Sequence, residues 1–158
     1  MNLFIELHQS LIKMLLVAKV DFIIIGGYSV IYHGYKRTTG DIDIWLKPSN
    51  DNKEKLLPVL KQFGIEDAEI RDIAELDFTE HTVFSIDEAP EKIDFITHIN
   101  LVKFEDADQH KILVDIDGLT IPFLHLNDLI LSKMNTGRPK DKADIDMLQQ
   151  IESAKNKK

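Results

Sequence analysis

Between Phe22 and Trp45 the sequence places an apolar run, Phe22-Ile23-Ile24-Ile25, the pair Gly26-Gly27, a short amphipathic stretch, Arg37-Thr38-Thr39, and then Asp41-Ile42-Asp43-Ile44. This order constrains the fold more than any other feature. The apolar run reads as a buried strand and the glycines as the turn that leads into a helix. Side chains alternate along an extended segment, so Asp41 and Asp43 project to one face and Ile42 and Ile44 to the other, into a core. Two carboxylates held together against an apolar background disfavour each other's ionised form unless a proton or a cation sits between them. Magnesium, a hard ion that takes oxygen ligands, suits such a pair. A strand-glycine-helix junction also offers backbone N–H groups to an anion such as phosphate. Each part has a plainer reading, a solvated strand face for Asp-x-Asp and a tight turn for Gly-Gly. Their occurrence in one segment is what points to chemistry.

With 158 residues and 44% hydrophobic content, the chain has enough material for one core and is short for two, so a single domain over residues 1–158 is expected. No apolar run approaches a membrane span and the N-terminus lacks a signal-peptide pattern, which leads us to expect a soluble, cytoplasmic protein. The absence of cysteine excludes disulfides, thiolate metal sites and a cysteine nucleophile; any metal is held through oxygen or imidazole. The net charge of −8 argues against a broad nucleic-acid-binding surface and leaves room for a local basic patch.

Apolar residues at Leu3, Leu7, Leu11, Met14, Leu15 and Ala18 form the stripe of an amphipathic packing helix. Strand Phe22 to Ile25 follows, then a helix from about Tyr28 to Tyr32 closed by Gly34, then the strand Asp41 to Leu46. Ser49 or Asn50 caps a helix running to about Phe63, closed by Gly64. Glu66 to Leu76 is weakly helical. Thr82 to Ile86 and Lys92 to Ile96 read as hairpin strands, and Ile112 to Ile116 turns through Asp117-Gly118 into Leu119 to Pro122. Helices over Leu126 to Met134 and Lys142 to Ile151 flank the turn Gly137-Arg138-Pro139, and the polar tail from residue 153 is expected to fray.

A third carboxylate is needed to complete an oxygen shell for magnesium, and Asp94 is the candidate. Ile93-Asp94-Phe95 repeats the pattern of acid on one face and large apolar groups on the other; if the two strands are neighbours, three acids converge. Taken alone, Asp94 would simply face solvent on an edge hairpin. His33, His81, His98, His110 and His125 show no metal-ligand spacing and read as structural or exposed; core packing is the expected fate of Trp45, while Tyr35 is a candidate to stack on a base.

Gly26-Gly27, Arg37-Thr38-Thr39-Gly40-Asp41-Ile42-Asp43-Ile44, Asp94 and the run from Leu131-Ser132-Lys133-Met134 through Gly137-Arg138-Pro139-Lys140-Asp141 to Asp144 together resemble the polymerase β superfamily of nucleotidyltransferases. The likeness is greatest to small bacterial members of abortive-infection and toxin–antitoxin type, and it spans most of the chain. It implies an α/β fold, a mixed β-sheet flanked by helices with further helices at the C-terminus. It also implies two Mg2+ ions, with Asp41, Asp43 and Asp94 as metal ligands and catalytic acids, and Gly26 and Gly27 against the triphosphate. Many relatives carry serine after the first glycine; here Gly27 stands in that place and the nearest hydroxyl is Ser29, which the resemblance sets with Gly26, Gly27, Arg37 and Lys133 among the nucleotide-binding residues. Lys133 would face the nucleotide, against the plainer reading of a solvated helix face, and Arg37 would steer phosphate or pair with an aspartate.

The activity so implied is transfer of a nucleoside monophosphate from a nucleoside triphosphate to an acceptor hydroxyl, with pyrophosphate released. The acceptor stays open among a transfer RNA end, a protein hydroxyl and a small molecule, with an antitoxin-like partner or a homodimer as further possibilities. The alternative is a module of the same fold that binds nucleotide or a partner without turnover. A haloacid-dehalogenase-like phosphatase built on Asp-x-Asp fits poorly, because Asp41 follows Arg37-Thr38-Thr39-Gly40 instead of an apolar strand.

Overall fold

The computed structural model describes residues 4–35, 40–87 and 91–156. Six strands form one mixed sheet in the order β3-β4-β2-β1-β6-β5: β1 (Phe22–Ile25), β2 (Ile42–Leu46), β3 (Val83–Ile86), β4 (Ile93–Ile96), β5 (Ile112–Ile116) and β6 (Leu119–Phe123). The apolar run and the carboxylate strand pair antiparallel, with Phe22 opposite Leu46 and Ile25 opposite Asp43. β2 then pairs parallel with β4, and β3 with β4 antiparallel. On the other side β6 runs parallel to β1, and β5 closes the sheet antiparallel to β6.

Parallel strands need a long crossover. Between β2 and β4 it is made by α3 (Asn50–Phe63), α4 (Asp67–Ala74) and β3. As anticipated, Ser49 caps α3, its hydroxyl accepting a hydrogen bond from the Asn52 N–H at 3.1 Å. The hairpin turn between β5 and β6 has positive φ at both Asp117 and Gly118, as a tight primed turn requires.

One face of the sheet is covered by α1 (Glu6–Val17), α3 and α4, whose Leu11, Ile12, Leu15, Leu56, Val59, Leu60 and Ile73 pack on Ile24, Ile42, Ile44, Ile93 and Phe95. Full burial of each such aliphatic side chain stabilises the fold by roughly 1.5–3 kcal/mol. The opposite face carries Ile23 and Trp45 under α5 (Phe104–His110), α6 (Leu126–Lys133) and α7 (Pro139–Asn156), through Phe104, Ala107, Leu129 and Leu148. Asp43 and Asp94 alternate with the residues of the first core and so belong to this second face, while α2 (Gly26–Tyr32) contributes Tyr28 to one core and Val30 to the other.

Some boundaries differ from expectation. α2 starts at Gly26 and absorbs both glycines into its first turn. α7 begins at Pro139, a residue preorganised for the first helical position, and continues to Asn156, past the point where the tail was expected to fray. Helix α5 was not anticipated; Phe104 and Ala107, one helical turn apart, are its only buried residues. No helix among the described residues is long and apolar enough to cross a membrane.

Candidate functional site

The parallel pairing of β2 with β4 sets Asp43 directly opposite Asp94, and Ser85 of β3 faces Asp94 from the other side. Asp43 and Asp94 share a side-chain hydrogen bond. Burial, then the charges of Asp94 and Asp41, push the Asp43 carboxyl up to about 6, with Lys133 pulling the other way. Asp94 is itself held: the Ser85 hydroxyl donates to its Oδ1, and the Lys92 ammonium lies 3.3 Å from the same oxygen.

Gly26 explains how a strand end comes so close to an acid. Its φ is +70°, and a methyl group on its Cα would overlap Oδ2 of Asp43, so the aspartate fills the space where any other residue would carry a side chain. Asp41 precedes β2 and is half-buried; its charge reaches Asp43, His8 and Tyr28. Among the described residues no three carboxylate or imidazole side chains are gathered at metal-binding distance. The structure thus brings Asp43 and Asp94 together and leaves Asp41 a flanking charge.

An open cleft of about 760 Å³ lies over this pair, with Gly26, Gly27, Asp43, Ser85, Lys92 and Asp94 on the sheet side. Its other wall, from α6 to the start of α7, presents Lys133, Thr136, Arg138, Lys140 and Asp141. The Lys133 ammonium sits 3.0 Å from Asp144 and 3.4 Å from Asp141, and Arg138 Nε donates to Asp141 at 2.7 Å. Burial alone would raise Asp141; the Thr136 hydroxyl, Lys133 and Arg138 outweigh it and hold its carboxyl below the usual range. Lys133 is therefore both ion-paired within the helical wall and a lining group of the cleft.

Ser29 lies elsewhere. It is fully buried in α2, outside the residues lining the cleft, and its hydroxyl finds no hydrogen-bond partner among the described residues. Arg37 falls outside the described residues. Trp45 is a core residue, donating its indole N–H to the Thr97 carbonyl at 2.8 Å, and Tyr35 is half-buried beside the second core. His33 is buried, with Nε2 donating to the Leu124 carbonyl at 2.7 Å. Ser85, Lys92, His81 and His98 all line the cleft, and none stood out in the sequence as a site residue. The alternation Asp94, Ile96, His98 could have flagged the last of them.

The oxygen-only donor set and the Asp43 carboxyl, disfavoured in its charged form by its acidic neighbours, fit a hard divalent cation. A phosphate ester held over such a pair is a substrate for group transfer at phosphorus.

Solved structures with the same architecture are nucleotidyltransferases. The lincosamide antibiotic adenylyltransferase LnuA, solved with lincomycin bound, superposes with a TM-score of 0.57 at 17% identity, covering 94% of this chain and 98% of that one. TM1012 of Thermotoga maritima, provisionally assigned as a nucleotidyltransferase, gives 0.58 at 14% identity, covering 96% and 91%. Their likeness shows the fold. The chain belongs to the family described as "Nucleotidyltransferase of unknown function (DUF6036)", whose model matches residues 2–154. No curated protein sequence matches it. The family chemistry is transfer of a nucleotidyl group.

Proposed function

We propose that the chain transfers a nucleoside monophosphate from a nucleoside triphosphate to the hydroxyl of a small-molecule acceptor, with magnesium held by Asp43 and Asp94 and Asp41 as the third ligand. The observation that carries this reading is the register of β2 and β4, which sets two carboxylates side by side at the floor of a cleft, against Gly26. When bound, two magnesium ions would offset the charge of the triphosphate and acidify the attacking hydroxyl. In the step itself the acceptor oxygen bonds to the α-phosphorus, the bond from that phosphorus to the bridging oxygen of the pyrophosphate breaks, and Asp94 takes the hydroxyl proton. Ser85 and Lys92 hold the Asp94 carboxylate from its outer side. Gly26 and Gly27 let phosphate approach the backbone, and Lys133 and Lys140 lend positive charge to the facing wall. LnuA's bound lincomycin supports a small-molecule acceptor over a macromolecule.

The test is incubation of the protein with each α-labelled triphosphate, magnesium and a cell extract. A labelled product and released pyrophosphate are expected, both lost in Asp94→Asn. Binding of triphosphate with no labelled product under any condition would instead support a nucleotide-binding module without turnover.

A further inference from the structure

The cleft continues beyond the two acids. Past Asp94 its wall is formed by Ile96 and His98, with Val83 and His81 of the adjacent segment beside them. The direction matters. β1 runs antiparallel to β2 and leads into Gly26, while β4 runs parallel to β2, so moving from Asp94 to His98 is moving away from Gly26. Displacement at phosphorus is in line, with the attacking oxygen opposite the departing one. With pyrophosphate leaving at the Gly26-Gly27 end, as in the function proposed above, the acceptor enters from the side of His98.

The hydrogen bonds behind His98 bear on which of its ring nitrogens carries the proton. The buried Thr97 hydroxyl has one hydrogen and two lone pairs. Two carbonyls can take its hydrogen, Glu80 at 2.9 Å and Thr82 at 3.4 Å. One lone pair takes the Thr82 N–H at 2.8 Å. With the hydrogen on a carbonyl, the other lone pair faces His98 Nδ1 at 2.9 Å and Nδ1 is the donor. In the neutral ring Nε2 is then a bare acceptor, and it makes no hydrogen bond among the described residues. β4 ends at Ile96 and the chain bends at Thr97, so His98 stands past the end of the strand that carries Asp94. It is placed to recognise.

We infer that His98 is a specificity-determining residue of the acceptor subsite: its Nε2 accepts a hydrogen bond from an O–H or N–H of a small-molecule acceptor that lies against His81, Val83 and Ile96. His81 and His98 meet edge to face with ring centroids 6.1 Å apart, which gives that end of the cleft a ring wall next to aliphatic ones. The acceptor class that fits is a compact, partly apolar molecule carrying a hydrogen-bond donor distant from its reactive hydroxyl.

Two measurements test this. A 15N-histidine spectrum of the full chain with the His98 ring in its neutral form should show the proton on Nδ1 and Nε2 bare; the reverse tautomer overturns the inference. In the second, wild type, His98→Phe and His98→Gln are given each α-labelled triphosphate in turn, magnesium and the small-molecule fraction of a cell extract. The amount of that fraction giving half-maximal labelling should rise about tenfold in His98→Phe, the effect of losing one hydrogen bond. It should recover most of the way in His98→Gln, while affinity for α,β-methylene ATP stays at the wild-type level in both. Unchanged half-saturation in His98→Phe, a loss confined to nucleotide affinity, or label appearing only in the RNA or protein fraction overturns the inference alone. No label from the wild type overturns the transferase reading and this inference with it.

Discussion

Gly26 and Asp43 depend on each other at atomic distance. Gly26→Ala must relieve both a positive φ and the overlap of the new methyl with the Asp43 carboxylate, a combined strain of roughly 1–3 kcal/mol. Thermal unfolding should show that loss, and transfer should fall with it because the acid is pushed off its partner; a variant that keeps full activity would remove Gly26 from the account. Asp43→Asn works in the opposite sense for stability. The folded state disfavours the Asp43 anion, whose carboxyl is pushed up to about 6, so at neutral pH the metal-free variant should be the more stable, by on the order of 1–3 kcal/mol. It should also lack transfer activity altogether. A melting midpoint below that of the wild type would contradict the claim that these carboxylates strain each other. His33 supplies a pH dependence. Burial lowers its pKa beneath the ordinary 6.5, so the unfolded chain binds the proton first. The stability it contributes is full above 6.5 and is lost as pH falls from there through the lower folded value. Midpoints measured across that window should fall less steeply in His33→Gln than in the wild type.

At the scale of elements, the entry to β1 and the start of α3 are tied by one side chain. Asn52 is buried, accepts from the Asp21 N–H at 2.8 Å, and donates to the carbonyls of Asp21 and Lys47 at 2.9 and 3.3 Å. Asn52→Ala leaves the Asp21 N–H without its partner, while the two carbonyls keep the Lys47 and Ser49 N–H groups, and should cost about 1–3 kcal/mol in denaturant unfolding. Much at this scale was legible in the sequence. Spacings of three and four announced α1, the Ser49 cap and Gly64 bracketed α3, and Asp117-Gly118 marked the last hairpin, because each is a local preference written in neighbouring residues. α5 escaped because only Phe104 and Ala107 mark its buried side. The length of α7 escaped because its last turns are polar, with no apolar stripe to announce them. The convergence of Asp43 with Asp94 was readable as a condition on two similar strands, while the parallel register that meets it depends on partners far apart in the chain. His98 was passed over for the same reason: its role rests on Thr97, Thr82 and Glu80, which the sequence does not show to be neighbours.

For the molecule as a whole, the site is an assembly of sheet and helices, with Lys133 as the link. Its ammonium is nearly buried between Asp141 and Asp144, joining α6 to α7 while its charge reaches Asp43 across the cleft. Replacing Asp144 by Asn removes a buried partner of that cation, a loss of about 3–5 kcal/mol where no new partner forms. Hydrogen exchange should then quicken in α7 before it does in β1 and β2, and triphosphate affinity should weaken as Lys133 shifts. Uniform loss of protection across the chain would show instead that the helical wall and the sheet unfold as one.

The two acids at the floor of the cleft are contributed from opposite ends of a crossover containing two helices and a strand, and their strands pair in parallel. Parallel pairing at such separation comes late, since loop closure precedes any gain from contact. A nascent or nicked chain can hold its hairpins and still have only half of its chemistry. Competence should appear in a single step, when the crossover docks, so that refolding followed by catalysis lags behind refolding followed by helix content.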